Sequence, residues 1–418
     1  MIRQLQLRNF RIFDDEVTIR IRPITLLIGK NNAGKSSVIR FLLMLQQSTG
    51  LNSKAFLDSR GEKVDLGKFY ELKNSASRKR YLHFALHVQQ EGSPRDPLGI
   101  YLREKGFNYH EHPPQYLVTA DVLYNPRNLF QGKDWKFTLS SANQAILQRS
   151  MPITENSRFL QPATGHPVEY SDSNAAVTRE SKAEQCCLES IAQTIGTMAH
   201  IGPSRNEMPR SIDIGENVPS HHVGRNGEYA LHHLWRLLKE SRDRAELIGS
   251  HLKKIVDIRD IAFSEKGDLA LCETQNAKTG ARTNIANFGF GTSQCLPILI
   301  QGGIMNPGTT LLVEQPETQI HPTAQLELGS FFFDLWKQRK VSSIIETHSG
   351  NTLLRLQRLI ARGDLSAEDV SVVFFDVENQ KSVVNNLEIK EDGSLGDGLP
   401  MEFFHQDIWE AMDLEVGE

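Results

Sequence analysis

Cysteine is scarce: four in 418 residues, Cys186, Cys187, Cys272 and Cys295. None stands in a Cys-x-x-Cys pair, and adjacent Cys186 and Cys187 are poorly placed for a mutual disulfide or a shared metal, so all four read as small hydrophobes in a reducing compartment. Basic charge is not in excess either. The 47 Lys and Arg against 51 Asp and Glu leave a net charge of −4, which excludes a chain that coats nucleic acid by bulk charge but leaves room for a local basic groove. No apolar run approaches the roughly 18 residues that span a bilayer. The start Met1-Ile-Arg-Gln-Leu-Gln-Leu-Arg contains no signal-peptide core, and no heptad pattern persists over about three repeats. These absences lead us to expect a soluble, cytoplasmic protein with no membrane partner and no long coiled coil. What is present is globular: 39% hydrophobic, 8% aromatic and 23% charged residues, which rules out wholesale disorder.

Strand-like alternation (Leu5, Leu7; Val17, Ile19, Ile21) precedes a nearly unbroken apolar run, Ile24-Thr-Leu-Leu-Ile28, of the kind a strand buried on both faces carries. Val38, Ile39, Leu42, Leu43 and Leu45 then follow at helical spacing. Residues 81–140 return to alternation, and 141–228 turn rich in Ser, Asn, Gly, Pro and His with one helix near 182–199. Helices are expected near 228–241 and 243–256. From 259 a strand–helix rhythm resumes, with strand Thr310–Val313, helix 322–338, strand Val341–Ile345, helix 350–362 and strand Val370–Phe375. Such alternation implies a mainly parallel sheet covered by helices. The expected organisation is 1–140 as the first part of a nucleotide-binding head, 141–258 as an inserted helical and loop lobe, and 259–418 as the second part.

The strongest chemical signal is Gly29-Lys-Asn31-Asn32-Ala33-Gly34-Lys35-Ser36-Ser37, which matches G-x-x-x-x-G-K-[ST] after a buried strand and before a helix. Glycines let the backbone curl so that N–H groups face phosphate oxygens; Lys35 would neutralise the β- and γ-phosphates and Ser36 would reach Mg²⁺. ATP and Mg²⁺ are the expected cofactors. A second signal is the apolar strand Thr310-Leu-Leu-Val313 ending in Glu314-Gln315-Pro316-Glu317, where P-loop ATPases hold Mg²⁺. A third is Phe288-Gly289-Phe-Gly291-Thr-Ser293-Gln294, a glycine-rich entry to a helix.

In this order, with Asn9-Phe10-Arg11 before the P-loop, Ile320-His321-Pro322 after the acidic strand and Glu346-Thr-His348-Ser349 beyond it, the sequence resembles the ABC-class ATPases related to SMC, RecF and the OLD proteins. It is most similar to the stand-alone bacterial AAA family ATPases found as subunits of anti-phage systems such as Septu and PARIS. The resemblance covers 1–50 and about 284–418. It implies an ABC-type P-loop ATPase head, α/β with a mainly parallel sheet plus an antiparallel β subdomain. It also implies a head-to-tail homodimer or higher homo-oligomer in which Gly291, Ser293 and Gln294 reach the partner's γ-phosphate, with His348 as the switch histidine, His321 on a dimer-facing loop and Arg11 near the nucleotide. A separate nuclease or toxin, encoded nearby, is the implied effector.

The sequence departs from that family where its strand usually ends Asp-Glu. Here Glu314 would hold Mg²⁺, and either Gln315 or Glu317, brought round by Pro316, would position the attacking water. Slow hydrolysis is expected, because Gln cannot accept a proton. No Asp-x-Asp follows His348 and no HNH-like cluster occurs, which argues against a nuclease within the chain. His110, His112 and His166 read as turn histidines, and Glu410, Asp413, Glu415 and Glu418 as an acidic tail. Three basic clusters (Arg78, Lys79 and Arg80; Arg205 and Arg210; Arg236, Lys239, Arg242, Arg244, Lys253 and Lys254) would suit the backbone of double-stranded DNA if they line one groove. A RecF- or SMC-like ATPase that clamps DNA without an effector is the alternative.

Overall fold

In the computed structural model, residues 1–49, 55–79, 81–89, 101–103, 105, 113–123, 131–141, 144–153, 159–160 and 175–396 are described. Arg80, His110, His112, His166 and the acidic tail lie outside them. The chain begins β1 (Ile2–Arg8), β2 (Val17–Arg20), β3 (Ile24–Gly29), α1 (Lys35–Ser48), α2 (Phe69–Leu72), β4 (Tyr81–Gln89), β5 (Gln115–Leu123), β6 (Gln131–Ser141) and β7 (Gln144–Pro152). Next come α3 (Ala175–Gly196), β8 (Ala199–Ile201), β9 (Ser211–Asp213), α4 (Ala230–Glu240), α5 (Arg242–Val256), β10 (Ile258–Lys266), β11 (Leu269–Asn276) and β12 (Arg282–Asn284). The remainder is α6 (Phe290–Ile304), β13 (Thr310–Glu314), α7 (Pro322–Arg339), β14 (Ser342–Glu346), α8 (Gly350–Ala361), β15 (Val370–Glu378) and β16 (Lys381–Leu387).

Two compact units result. The first comprises 1–21, 31–198 and 375–384, the second 22–30, 199–374 and 385–418. The first is built on an antiparallel sheet ordered β2-β1-β4-β5-β6-β7, whose inner residues alternate as a half-wet sheet requires: Leu5 and Leu7 on β1, Phe84 and Leu86 on β4 are fully buried. Phe10, Phe41, Phe84, Phe159 and Phe56 run through its core edge to face, at centroid distances of 5.1, 5.4, 5.8 and 5.6 Å, the geometry ring quadrupoles favour.

The second unit is organised by β3, β14, β13 and β8, parallel neighbours in that order within a six-stranded sheet. Every residue of β3, β13 and β14 is buried, which is why those segments read as continuous apolar runs. Leu234, Ile248, Leu252, Leu299, Phe331 and Leu335 from α4 to α7 belong to the same core as Leu26, Leu311, Val313 and Ile345 of the strands. A second, four-stranded antiparallel sheet joins β9, β10, β11 and β12. The α/β head with a mainly parallel sheet, helices and an antiparallel subdomain is therefore the architecture the chain adopts.

The expected lobe at 141–258 is not one body. β7 completes the first unit's sheet beside β6, β8 pairs with β13 in the parallel sheet, and α4 and α5 join the second unit's core. Its helix also starts earlier than expected, at Ala175, and ends at Gly196.

Candidate functional site

Parallel registry decides what meets at the C-terminal edge of the second unit's sheet. Leu27 pairs with Glu346 and Glu346 with Glu314, so Gly29 leaves β3, Thr347 leaves β14 and Gln315 leaves β13 side by side. Crevices at such strand ends are where open α/β sheets bind ligands.

Glu314 is almost wholly buried, and its Oε1 lies 2.8 Å from His200 Nε2 on β8. Behind it stands Arg205, 5% exposed, whose Nη1 donates to the Gln315 carbonyl at 3.1 Å and whose Nη2 donates to the Glu314 carbonyl. Burial pulls the Arg205 guanidinium down to about 10 against the opposing pull of Glu317 and Glu314, so it stays a cation at neutral pH. Gln315 has a left-handed backbone, φ 48°, and its N–H donates to the Glu346 carbonyl at 2.7 Å. Non-glycine residues hold that conformation only when their surroundings over-determine it; here two carbonyls and one N–H are tied. The Gln315 side chain itself is half-buried and forms no hydrogen bond among the described residues.

The turn at Pro316 does bring Glu317 back, but both of its carboxylate oxygens are used. Oε2 accepts the Thr347 hydroxyl at 2.8 Å and Oε1 the His348 N–H at 2.7 Å. Glu317 thus clips the exit of β14 to the exit of β13, leaving Gln315 as the side chain presented at this edge. His348 is exposed, held by its backbone, and next to Ser349, which caps α8. His321 is also exposed and caps α7, its Nδ1 accepting from Thr323 N–H at 3.3 Å; that is the local reason for a His before Pro322.

The start of α6 departs from expectation. Gly291 faces the Gln319 carbonyl so closely that an added Cβ would sit 3.0 Å from it. Ser293 and Gln294, however, are 6% and 2% exposed. Ser293 Oγ accepts from Met208 N–H at 3.3 Å, and Gln294 Nε2 donates to the Arg205 carbonyl at 3.2 Å. Both side chains are interior ties rather than outward ligands, and Phe290, 49% exposed, is what this helix start offers outside.

The P-loop leaves the edge at Gly29 and crosses into the first unit. Positive φ at Gly29 (130°), Asn32 (59°) and Gly34 (111°) curls the loop, and α1 opens with no side-chain cap and no acidic residue in its first turn. An uncapped, acid-free helix start carries the positive end of the helix dipole and attracts anions. Lys35 is 3% exposed, Ser36 half-buried, Ser37 buried and Asn31 and Asn32 exposed. Within the same unit Phe13 packs under the loop: a Cβ on Gly34 would lie 2.6 Å from its ring. Ser382 Oγ donates to the Ala33 carbonyl at 2.5 Å, and neighbouring Lys381 pairs with Asp15 at 2.9 Å. Hydrogen bonds to Lys79 first and Lys381 next hold the Asp15 carboxyl at about 2. Arg11 has a left-handed backbone, φ 51°, and burial first, then the like charge of Arg40, hold its guanidinium below the usual value. We expect Gly34→Ala, strained in both φ and space, to lose nucleotide binding at least roughly tenfold; calorimetric titration with ATP checks it.

Sequence reasoning missed His200 and misplaced Arg205, which is buried under β13 rather than part of a basic surface. Four other members of the basic clusters are ion-paired: Lys79 with Asp14 and Asp15, Lys239 with Glu265, Arg242 with Glu246, Lys254 with Glu327. Among the described residues no group of three or more His, Cys, Asp or Glu could hold a metal by itself, and no helix is long and apolar enough to cross a membrane.

Residues 1–88 match the family model of an AAA ATPase domain, a span that holds β1 to β3, the P-loop and α1. Among solved structures the chain is similar to the SMC head domain from Thermotoga maritima, at 8% identity over 93% of this chain and 99% of that one, TM-score 0.44. It is similar also to an SMC head bound to the C-terminal winged-helix domain of ScpA, at 10% identity over 93% and 98%, TM-score 0.48. A third is the Smc head with an extended coiled coil bound to the C-terminal domain of ScpA derived from Pyrococcus furiosus, at 11% identity over 99% of each chain, TM-score 0.47. No curated protein matches. At these identities no residue inherits a role from those structures.

Proposed function

We propose that this chain is an ATP-binding, slowly hydrolysing ABC-class ATPase that associates around ATP. The observation that carries the reading is the parallel sheet edge where a P-loop starting at Gly29 leaves beside Glu314, Gln315 and His348. Lys35 and the loop's N–H groups bind the phosphates, and Arg11 adds positive charge nearby. Ser36 offers a hydroxyl and Glu314 a carboxylate, each a hard oxygen donor of the sort Mg²⁺ takes; the sequence pattern assigns both to the ion, which would neutralise phosphate charge. Gln315 orients water by donating and accepting hydrogen bonds, but takes no proton, so turnover is slow and the closed state long-lived. His348, exposed at the end of β14, faces outward to sense the terminal phosphate. The exposed start of α6 at Gly289 and Phe290 supplies the association surface for a second copy. Control of a separate nuclease or toxin in anti-phage defence is supported by the sequence resemblance.

The test combines calorimetry with sedimentation in Mg²⁺. ATP should bind stoichiometrically and shift the protein from monomer to dimer, and Phe290→Asp should abolish the shift while leaving monomer binding within about twofold, because a charge at an apolar contact is costly. Absence of ATP binding by the unaltered protein would overturn the reading; binding without association would remove its dimeric part.

A further inference from the structure

We infer that Arg205 is a positioning residue through which Gln294, at the start of α6, fixes the direction of the Gln315 side chain. The inference rests on the reading of Gln315 as the water-orienting group, and its geometry lies wholly in the second unit.

Two buried side chains make one continuous strut to the turn. Gln294 Nε2 donates to the Arg205 carbonyl at 3.2 Å. The Arg205 guanidinium, two nitrogens of one planar fork, then donates to the successive carbonyls of Glu314 and Gln315. Parallel donation to two adjacent acceptors is what a guanidinium does and an ammonium does not. Exposures of 2% for Gln294 and 5% for Arg205 keep water from replacing either link. The segment is pinned from its other side too: Met208 N–H donates to Ser293 Oγ, Asn206 N–H to the Asn226 carbonyl at 2.8 Å and Gly202 N–H to the Arg225 carbonyl at 2.9 Å. Because it is held on both flanks, 202–208 acts as a rigid bracket and not a pliable loop.

What the bracket holds is the first residue after β13, Gln315, whose backbone is left-handed at φ 48°. Turning that residue back to an ordinary conformation would swing its side chain off the edge. Glu317 and Glu346 fix neighbouring points and Thr318 donates to the Gln315 carbonyl, while the Arg205 fork ties the carbonyls of Glu314 and Gln315 together. The Arg205 Nε is buried without a hydrogen-bond partner, an unsatisfied donor that the site tolerates in order to aim the two Nη groups. The start of α6 and the water-orienting turn are thereby one mechanical body, so association at Phe290 and hydrolysis at Gln315 share a part.

The experiment uses the full-length protein with Gln294→Met, Arg205→Lys and the double variant. Amide hydrogen exchange without nucleotide should speed up roughly tenfold or more at Gln315, Glu317 and Thr318 in Gln294→Met, with exchange in β1 and α1 unchanged, since opening free energies are local. In turnover, each single variant should lower kcat about tenfold while KM for ATP stays within about twofold, because the P-loop is untouched. The double variant should be no slower than Arg205→Lys alone, as residues acting in series are non-additive. Unchanged exchange at Gln315, Glu317 and Thr318 overturns the strut. Faster exchange with unchanged kcat overturns the positioning role, as does a multiplicative double variant. Should Arg205→Lys fail to fold, Gln294→Met alone decides by exchange and kcat. If the unaltered protein proves to bind no ATP, the ATPase reading fails, while the exchange result still decides whether Gln294 governs the turn.

Discussion

Lys35→Ala should weaken ATP binding at least roughly tenfold, about 1.4 kcal/mol. Lys35 is the first residue of α1 and 3% exposed, so its ammonium stands at the positive end of the helix dipole, where anions are drawn. Alanine, the best helix former, removes that charge without breaking the helix. Triphosphate stabilisation should fall in parallel: a ligand at one hundred times its dissociation constant raises stability by about 2.7 kcal/mol, and a tenfold weaker one gives about half of that. Calorimetry and melting with and without MgATP read both effects. Affinity equal to that of the unaltered protein would mean that the loop does not hold phosphates through Lys35.

The parts of this site that a reader of the sequence can find are those written in consecutive residues. β3, the P-loop and α1 form one uninterrupted strand–loop–helix, and the left-handed positions fall on Gly29, Asn32 and Gly34, residue types that announce them. β13 and β14 show themselves as apolar runs because both faces are covered. His200 and Arg205 do not, since their partners lie 114 and 109 or 110 residues away. A three-residue strand such as β8 is too short to display a period. An arginine in a polar stretch reads as solvated until the fold buries it, as it buries Arg205. Ser293 and Gln294 illustrate the other limit: a motif fixes residue order but not which way a helix turns its face, and here the two side chains turn inward. The stretch 141–258 looked like a lobe because Ser, Asn, Gly and Pro dominate its first part. Its membership of two units is set by β7 and β8, whose pairing partners β6 and β13 lie outside it.

Gln315→Glu should raise single-turnover hydrolysis roughly tenfold or more, because a carboxylate accepts hydrogen bonds from the attacking water more strongly and stabilises its developing positive charge. The structure favours this position over Glu317. Both Glu317 oxygens are spent on Thr347 and His348, whereas the Gln315 side chain is uncommitted among the described residues and its backbone is braced by Arg205 and Glu346. The new carboxylate joins Glu314, Glu317 and Glu346 at one edge, so the gain should need saturating Mg²⁺ and the metal-free variant should melt lower, as like charges repel. Faster hydrolysis should also shorten the life of the ATP-bound dimer. Glu314→Gln should act in the opposite direction, because a neutral amide replaces a hard anionic ligand beside His200 Nε2. Glu317→Gln should have a smaller effect on turnover than Glu314→Gln, since an amide oxygen can still accept one of the two hydrogen bonds that clip β14 to β13. Rapid-quench measurement of the three variants separates the roles. If Gln315→Glu lowers the rate while Glu317→Gln abolishes it, water is positioned by Glu317, and the clip seen here must open when the nucleotide binds. Unchanged turnover in both Gln315→Glu and Glu314→Gln would move the chemistry away from this strand end, and with it the reason for a left-handed Gln315.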